Sequence, residues 1–141
     1  LQFIQNGASC SLAASLYTGE GYSLYLPDED WTMETDGEDG LEVWESTVNE
    51  AAQLRILHLG ETTMEQARAD LIREEASFSL VEDKRGGLFG TDSQNGQELE
   101  ISFFPSETGT LYAVALTYPT EATEELGALL HVMADTFALH P

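Results

Sequence analysis

The chain has 141 residues, 42% of them hydrophobic, and sets 26 acids against five bases for a formal net charge of −21 at pH 7. A domain of this length removes roughly 70% of its unfolded surface from water, so one core without disulfide staples is expected over 1–141. The charge repels phosphate backbones and anionic lipid surfaces, which argues against nucleic-acid and membrane-surface partners and leaves cations, a basic protein or a small molecule.

The first residues read as an irregular lead-in or edge strand over 1–15, ahead of a core at 16–139. Gly7-Ala8-Ser9 before Cys10 has a faint likeness to a lipoprotein cleavage box, but LQFIQNG is too short and polar for the apolar region of a signal peptide. Cys10 is the sole cysteine, which excludes an intramolecular disulfide and a thiolate zinc site, and burial in a strand is its expected fate. No stretch approaches the ~20 apolar residues of a membrane span. The chain starts at Leu1 rather than methionine, which points to a processed product or an excised piece with an unseen upstream signal or anchor.

Tyr22, Leu24 and Leu26 alternate with Ser23 and Tyr25, the two-residue period of a half-buried strand. Pro27 lacks the N–H that a ladder requires, so pairing should stop there. Residues 28–40 are rich in acids and glycine and read as a loop, with Trp31 packing back on the sheet. LEVWESTV (41–48) and AQLRILHL (52–59) then form an antiparallel hairpin, because three residues cannot make a parallel crossover.

Thr62-Thr63-Met64-Glu65 has capping-box spacing and opens a helix with Met64, Ala67, Leu71 and Ile72 on one stripe. Glu65–Arg68 and Asp70–Arg73 are the expected i,i+3 pairs on its outer side. ASFSLVED (76–83) reads as a strand before the Lys84-Arg85-Gly86-Gly87 turn. LFGTDS and ELEISFF flank Asn95-Gly96, the signature of a tight primed turn, and ISFF pairs with TLYAVALTY around Glu107-Thr108-Gly109. A last helix follows Pro119-Thr120, with acids in its first turns and Leu126, Leu129, Leu130, Met133 and Phe137 on one face.

TLYAVALTY is apolar on both sides, so both sides must be covered, and the two amphipathic helices supply the cover. The fold class expected is α+β: a twisted antiparallel sheet of about six or seven strands with a helix on each face, an α/β/α sandwich.

Site chemistry is sparse. Calcium-loop spacing fails from Asp28, where Thr32 and Met33 take positions five and six, and from Asp36, where Gly40 and Leu41 do. Asp92 to Gly96 makes a hairpin turn instead. Asp28-Glu29-Asp30, with Asp36, Glu38, Asp39 and Glu42, reads as a solvated acidic surface; adjacent carboxylates in a loop have no cleft to separate their pKa values. His58 is expected on a strand rim, His131 in an i,i+4 surface pair with Asp135, and His140 beside the C-terminus. No serine elbow, helical histidine pair, phosphate loop or dinucleotide fingerprint is present. Trp31, Trp44 and the tyrosines are expected in the core or at its rim. No catalytic, cofactor or metal residue is therefore assigned.

Gly-Tyr-Ser-Leu-Tyr-Leu-Pro followed by Trp31, three hairpins around a capped helix, and the closing Asp135-Thr136-Phe137 resemble the PsbP-like superfamily over about residues 16–139. That superfamily includes the extrinsic oxygen-evolving-complex subunit, a nuclear import cofactor and bacterial extracytoplasmic lipoproteins. The resemblance implies a sandwich fold and a non-enzymatic accessory role, extracytoplasmic and lipoprotein-like, with no site residue carried over. The expected function is thus a non-catalytic interaction domain of an exported or surface-displayed protein. A calcium-responsive acidic module and a hydrolase with dispersed residues are the alternatives.

Overall fold

The computed structural model describes residues 1–5, 7–34 and 41–140. In chain order the strands are β1 (Gln2–Gln5), β2 (Ala8–Ser11), β3 (Ala14–Thr18), β4 (Tyr22–Pro27), β5 (Trp31–Glu34), β6 (Leu41–Ser46) and β7 (Gln53–Glu61). Helix α1 (Met64–Glu74) follows, then β8 (Val81–Glu82), β9 (Leu88–Asp92), β10 (Gln97–Pro105), β11 (Thr110–Pro119), helix α2 (Ala128–Asp135) and β12 (Ala138–Leu139).

Among the described residues, seven strands make one antiparallel sheet in the order β5-β6-β7-β11-β10-β9-β8. A three-stranded sheet, β12-β4-β3, and the β1-β2 hairpin pack with α2 over one face. The opposite face carries α1 and the short helical turn Ala76–Phe78. Strand β11 explains the arrangement. Val114, Leu116 and Tyr118 enter the α2-side core, while Ala113 and Ala115 enter the α1-side core. A strand apolar on both faces needs two covers, as expected.

Several local expectations need correction. Residues 31–34 are not loop: Trp31 to Glu34 pair with Ser46 to Val43, because Trp31, Thr32 and Met33 suit a pleated edge more than an acidic turn does. Residues 35–40, with Asp36, Glu38 and Asp39, lie outside the described residues. In 76–83 only Val81 and Glu82 pair as a strand; Ser79 adopts a left-handed conformation after the helical turn and lets Phe78 and Leu80 both reach the core. The β9–β10 connection is a four-residue loop rather than a two-residue primed turn, since Gly96 has positive φ and Asn95 does not. Asp92 shapes it by accepting the N–H groups of Gln94 and Asn95 at 3.0 and 3.1 Å.

The α1 cap is Thr63, one residue later than the box suggested, and its hydroxyl accepts from the Gln66 N–H at 3.1 Å. Only the hydroxyl half of the box forms, since the Gln66 side chain donates forward to Asp70 Oδ1 at 3.0 Å. Ala67 and Leu71 are buried as expected, but Ile72 is exposed. Asp70–Arg73 forms at 2.8 Å. Arg68 does not pair with Glu65; it turns to Glu82 at 3.7 Å and donates to the Gly86 carbonyl at 3.1 Å. The last helix starts late, after a tight turn at Thr120–Ala122 and a wide π-type turn at Thr123–Gly127. Leu129, Leu130, Met133 and then Phe137 are buried beneath it.

Candidate functional site

Three polar constellations stand out on the α2 side. In the first, Glu42 shares a face of β6 with Trp44 and Ser46 by the strand period and so points inward. Its Oε2 accepts from the Tyr17 hydroxyl at 2.7 Å, and His58 Nε2 lies 3.1 Å from its Oε1. Tyr17 meets Trp44 edge-on with centroids 4.9 Å apart, and the fully buried Tyr22 stacks on Phe137 at 5.4 Å. Burial alone would raise the Glu42 pKa, but the hydrogen bonds around it, that of Tyr17 first, bring it below the ordinary carboxylate value. Burial, with the adjacent Glu42 carboxylate, pushes the phenols of Tyr17 and Tyr22 up. Among the described residues, the buried Tyr22 hydroxyl has no partner in hydrogen-bonding geometry. The cluster joins the small sheet to the large one, so His58 is more than a rim residue.

The second constellation centres on Glu100 of β10. Its Oε2 accepts from the Tyr118 hydroxyl at 2.6 Å and lies 2.7 Å from His131 Nε2. His131 therefore reaches across to the sheet instead of forming the expected pair with Asp135 on its own helix. The bond to Glu100 raises the His131 pKa, and the bond from His131 lowers that of Glu100, each against the effect of burial. Burial first, then Glu100, pushes the Tyr118 phenol up. Glu100 and His131 of this triad wall an open groove of about 650 Å³ between the C-terminal half of α2 and β10. Phe104, Leu116 and Phe137 give it an apolar surface, and Lys84 and Arg85 stand at its end.

The third constellation answers what Asp28-Glu29-Asp30 does. The triplet forms the turn between β4 and β5, with Asp30 at φ 69°, a conformation that Asp tolerates better than most residues. Asp28 accepts from the Ser15 hydroxyl at 2.6 Å, and the Asp30 carbonyl accepts from the Thr47 N–H at 2.8 Å. With Glu125 these acids line a groove of about 400 Å³ against Trp31, Leu126 and Leu129. The acids thus surround an apolar trough where α2 begins, an arrangement more specific than a solvated strand end.

The remaining candidates are structural. His140 Nε2 lies 2.7 Å from Ser23 Oγ, the spacing of a nucleophile and its base. However, Ser23 is only 6% exposed, held in the middle strand of the small sheet, so the contact fastens β12 to β4. Cys10 is half-buried, more exposed than expected; it stands opposite the buried Phe3 on the core-facing side of the β1–β2 hairpin. Among the described residues, no three His, Cys, Asp or Glu side chains gather closely enough to hold a metal ion. The Glu100 triad escapes a sequence reading because its members come from three elements. A signal was there: Glu98 and Glu100 alternate with Leu99 and Ile101 on a strand whose two faces both need cover.

No protein-family model matches the chain, and no curated protein does. Solved structures share its fold. Cyanobacterial PsbP (CyanoP) from Synechocystis aligns over 93% of this chain and 95% of its own, with a TM-score of 0.61 and 11% identity. A protein from Bacteroides thetaiotaomicron aligns over 92% of this chain and 49% of its own, with a TM-score of 0.54 and 14% identity. The chain has the PsbP-like α+β fold.

Proposed function

We propose that this chain is a non-catalytic accessory domain of an exported or surface-displayed protein, and that it captures a basic segment of a partner protein. The observation that carries the reading is the acid-rimmed apolar trough formed by Asp28, Glu29, Asp30 and Glu125 around Trp31 and Leu126. A net charge of −21 draws cationic partners over a distance. The apolar floor then rewards a segment that alternates lysine or arginine with leucine-like residues. The shared fold with CyanoP supports an accessory role by analogy.

An amphipathic lysine–leucine peptide followed by amide NMR tests this. Shifts should centre on residues 28–31 and 125–129, weaken with salt, and fade in the Asp28→Asn/Glu29→Gln/Asp30→Asn variant, where Asn suits the positive φ at position 30. Shifts spread evenly over the surface, or unchanged by the variant, count against the reading. A rise in melting temperature with millimolar calcium, lost in the same variant, would favour the calcium-responsive alternative.

A further inference from the structure

We propose that the groove between α2 and β10 binds a small apolar carboxylate, with its hydrocarbon part on Phe104, Leu116 and Phe137 and its charged end at Lys84 and Arg85. The proposal is independent of the acid-rimmed trough, which lies at the other end of α2.

The first support is where the positive charge lies. Of the five bases, Arg55 pairs with Glu75, Arg68 with Glu82 and Arg73 with Asp70. Among the described residues, Lys84 and Arg85 form no ion pair with a carboxylate. They share the groove with His131, whose ring is bonded to Glu100. On a surface this acidic, two adjacent cations without a carboxylate partner are the groove's available anchor for an anion.

The second support is that the turn bearing them is built to hold its shape. Asp83 Oδ1 accepts the N–H groups of Arg85 at 2.8 Å and Gly87 at 2.9 Å, and the Asp83 N–H returns to the Gly87 carbonyl at 2.9 Å. At Gly87 a Cβ would collide with the Ile101 carbonyl, so glycine lets the turn lie flat against β10. Asp83, Glu100 and Asp135 also line the groove; Asp83 and Glu100 already have donors of their own, and Asp135 stands on α2, across the groove from the Lys84–Arg85 turn.

The third support is size and a two-part wall. About 650 Å³ is within the usual range for small-ligand clefts, and an apolar stretch at Phe104, Leu116 and Phe137 adjoins a charged one at Lys84 and Arg85. The whole-chain charge decides between ligand types. A polyanion or a bare inorganic anion would be repelled with little to offset it, whereas a single carboxylate on an apolar body gains from burial as well as from the cations.

Titration with decanoate below its micelle-forming concentration, followed by amide NMR, tests the assignment. Shifts should map to residues 84–85, 102–104, 131–137 and Leu116, and Lys84→Ala/Arg85→Ala should weaken binding by about tenfold while leaving the melting temperature unchanged. Decanol should bind more weakly in this groove, inorganic phosphate should leave it unshifted, and decylammonium should shift the acidic trough instead. The proposal is overturned if decanoate does not bind there, if the double variant binds it equally well, or if decanol or decylammonium matches it in the groove.

Discussion

At the scale of single residues, the inward-facing carboxylates govern how stability depends on pH. Glu42→Ala would leave the Tyr17 hydroxyl and the His58 ring without their shared acceptor, and about 2–3 kcal/mol of stability should be lost, as measured by urea unfolding at neutral pH. Because the folded-state pKa of Glu42 is depressed, its contribution is present above the ordinary value of 4.5 and disappears as pH falls through the folded value. His131 behaves in the opposite sense. Its folded pKa is raised, so its contribution is complete below 6.5 and is lost as pH rises through the folded value. The Glu100–His131 pair should therefore help most between about 4.5 and 6.5. Melting curves across pH should show His131→Gln removing the alkaline-side part of the decline. An unchanged slope in that variant would assign the decline to other groups.

At the scale of elements, the covers of the two faces differ in how they are held. The α1 cover depends on a cap and on close backbone approach. Thr63→Ala should cost about 1 kcal/mol by removing the acceptor for the Gln66 N–H. Gly90→Ala should cost more, because its Cβ would strike the Phe78 carbonyl where the helical turn crosses β9; guanidinium unfolding of both variants ranks them. The α2 cover depends on burial: Leu130, fully enclosed, should cost about 2–5 kcal/mol when truncated to alanine. These differences track what the sequence revealed. Alternation announced β4, β6, β7 and β10, and the 3.6 period announced the apolar face of α2, since both report burial on one side; the unbroken apolar run of β11 announced burial on two. Strand β5 and the helical turn at Ala76–Phe78 were hidden. Trp31 to Glu34 sits inside an acidic stretch, and ASFS favours a strand until tertiary packing folds Phe78 inward. The two grooves were least legible. Their walls combine residues far apart along the chain, such as Glu100 with His131 and Asp28 with Glu125, and no spacing rule connects them.

At the scale of the whole molecule, the charge works against compactness. Self-repulsion among the carboxylates should make the melting temperature climb as sodium chloride is raised, by screening within a Debye length of ~10 Å at 0.1 M. A flat response would mean that local pairing already neutralises the repulsion. Strand β11 has a further consequence. Its alternate side chains belong to different cores, and it is hydrogen-bonded to β7 on one edge and β10 on the other. Neither half can loosen while that strand stays in register, and neither has anything to close upon once it leaves. Deuterium uptake at residues 112–117 should thus be the slowest in the chain and should report complete opening, while the β1–β2 hairpin exchanges early.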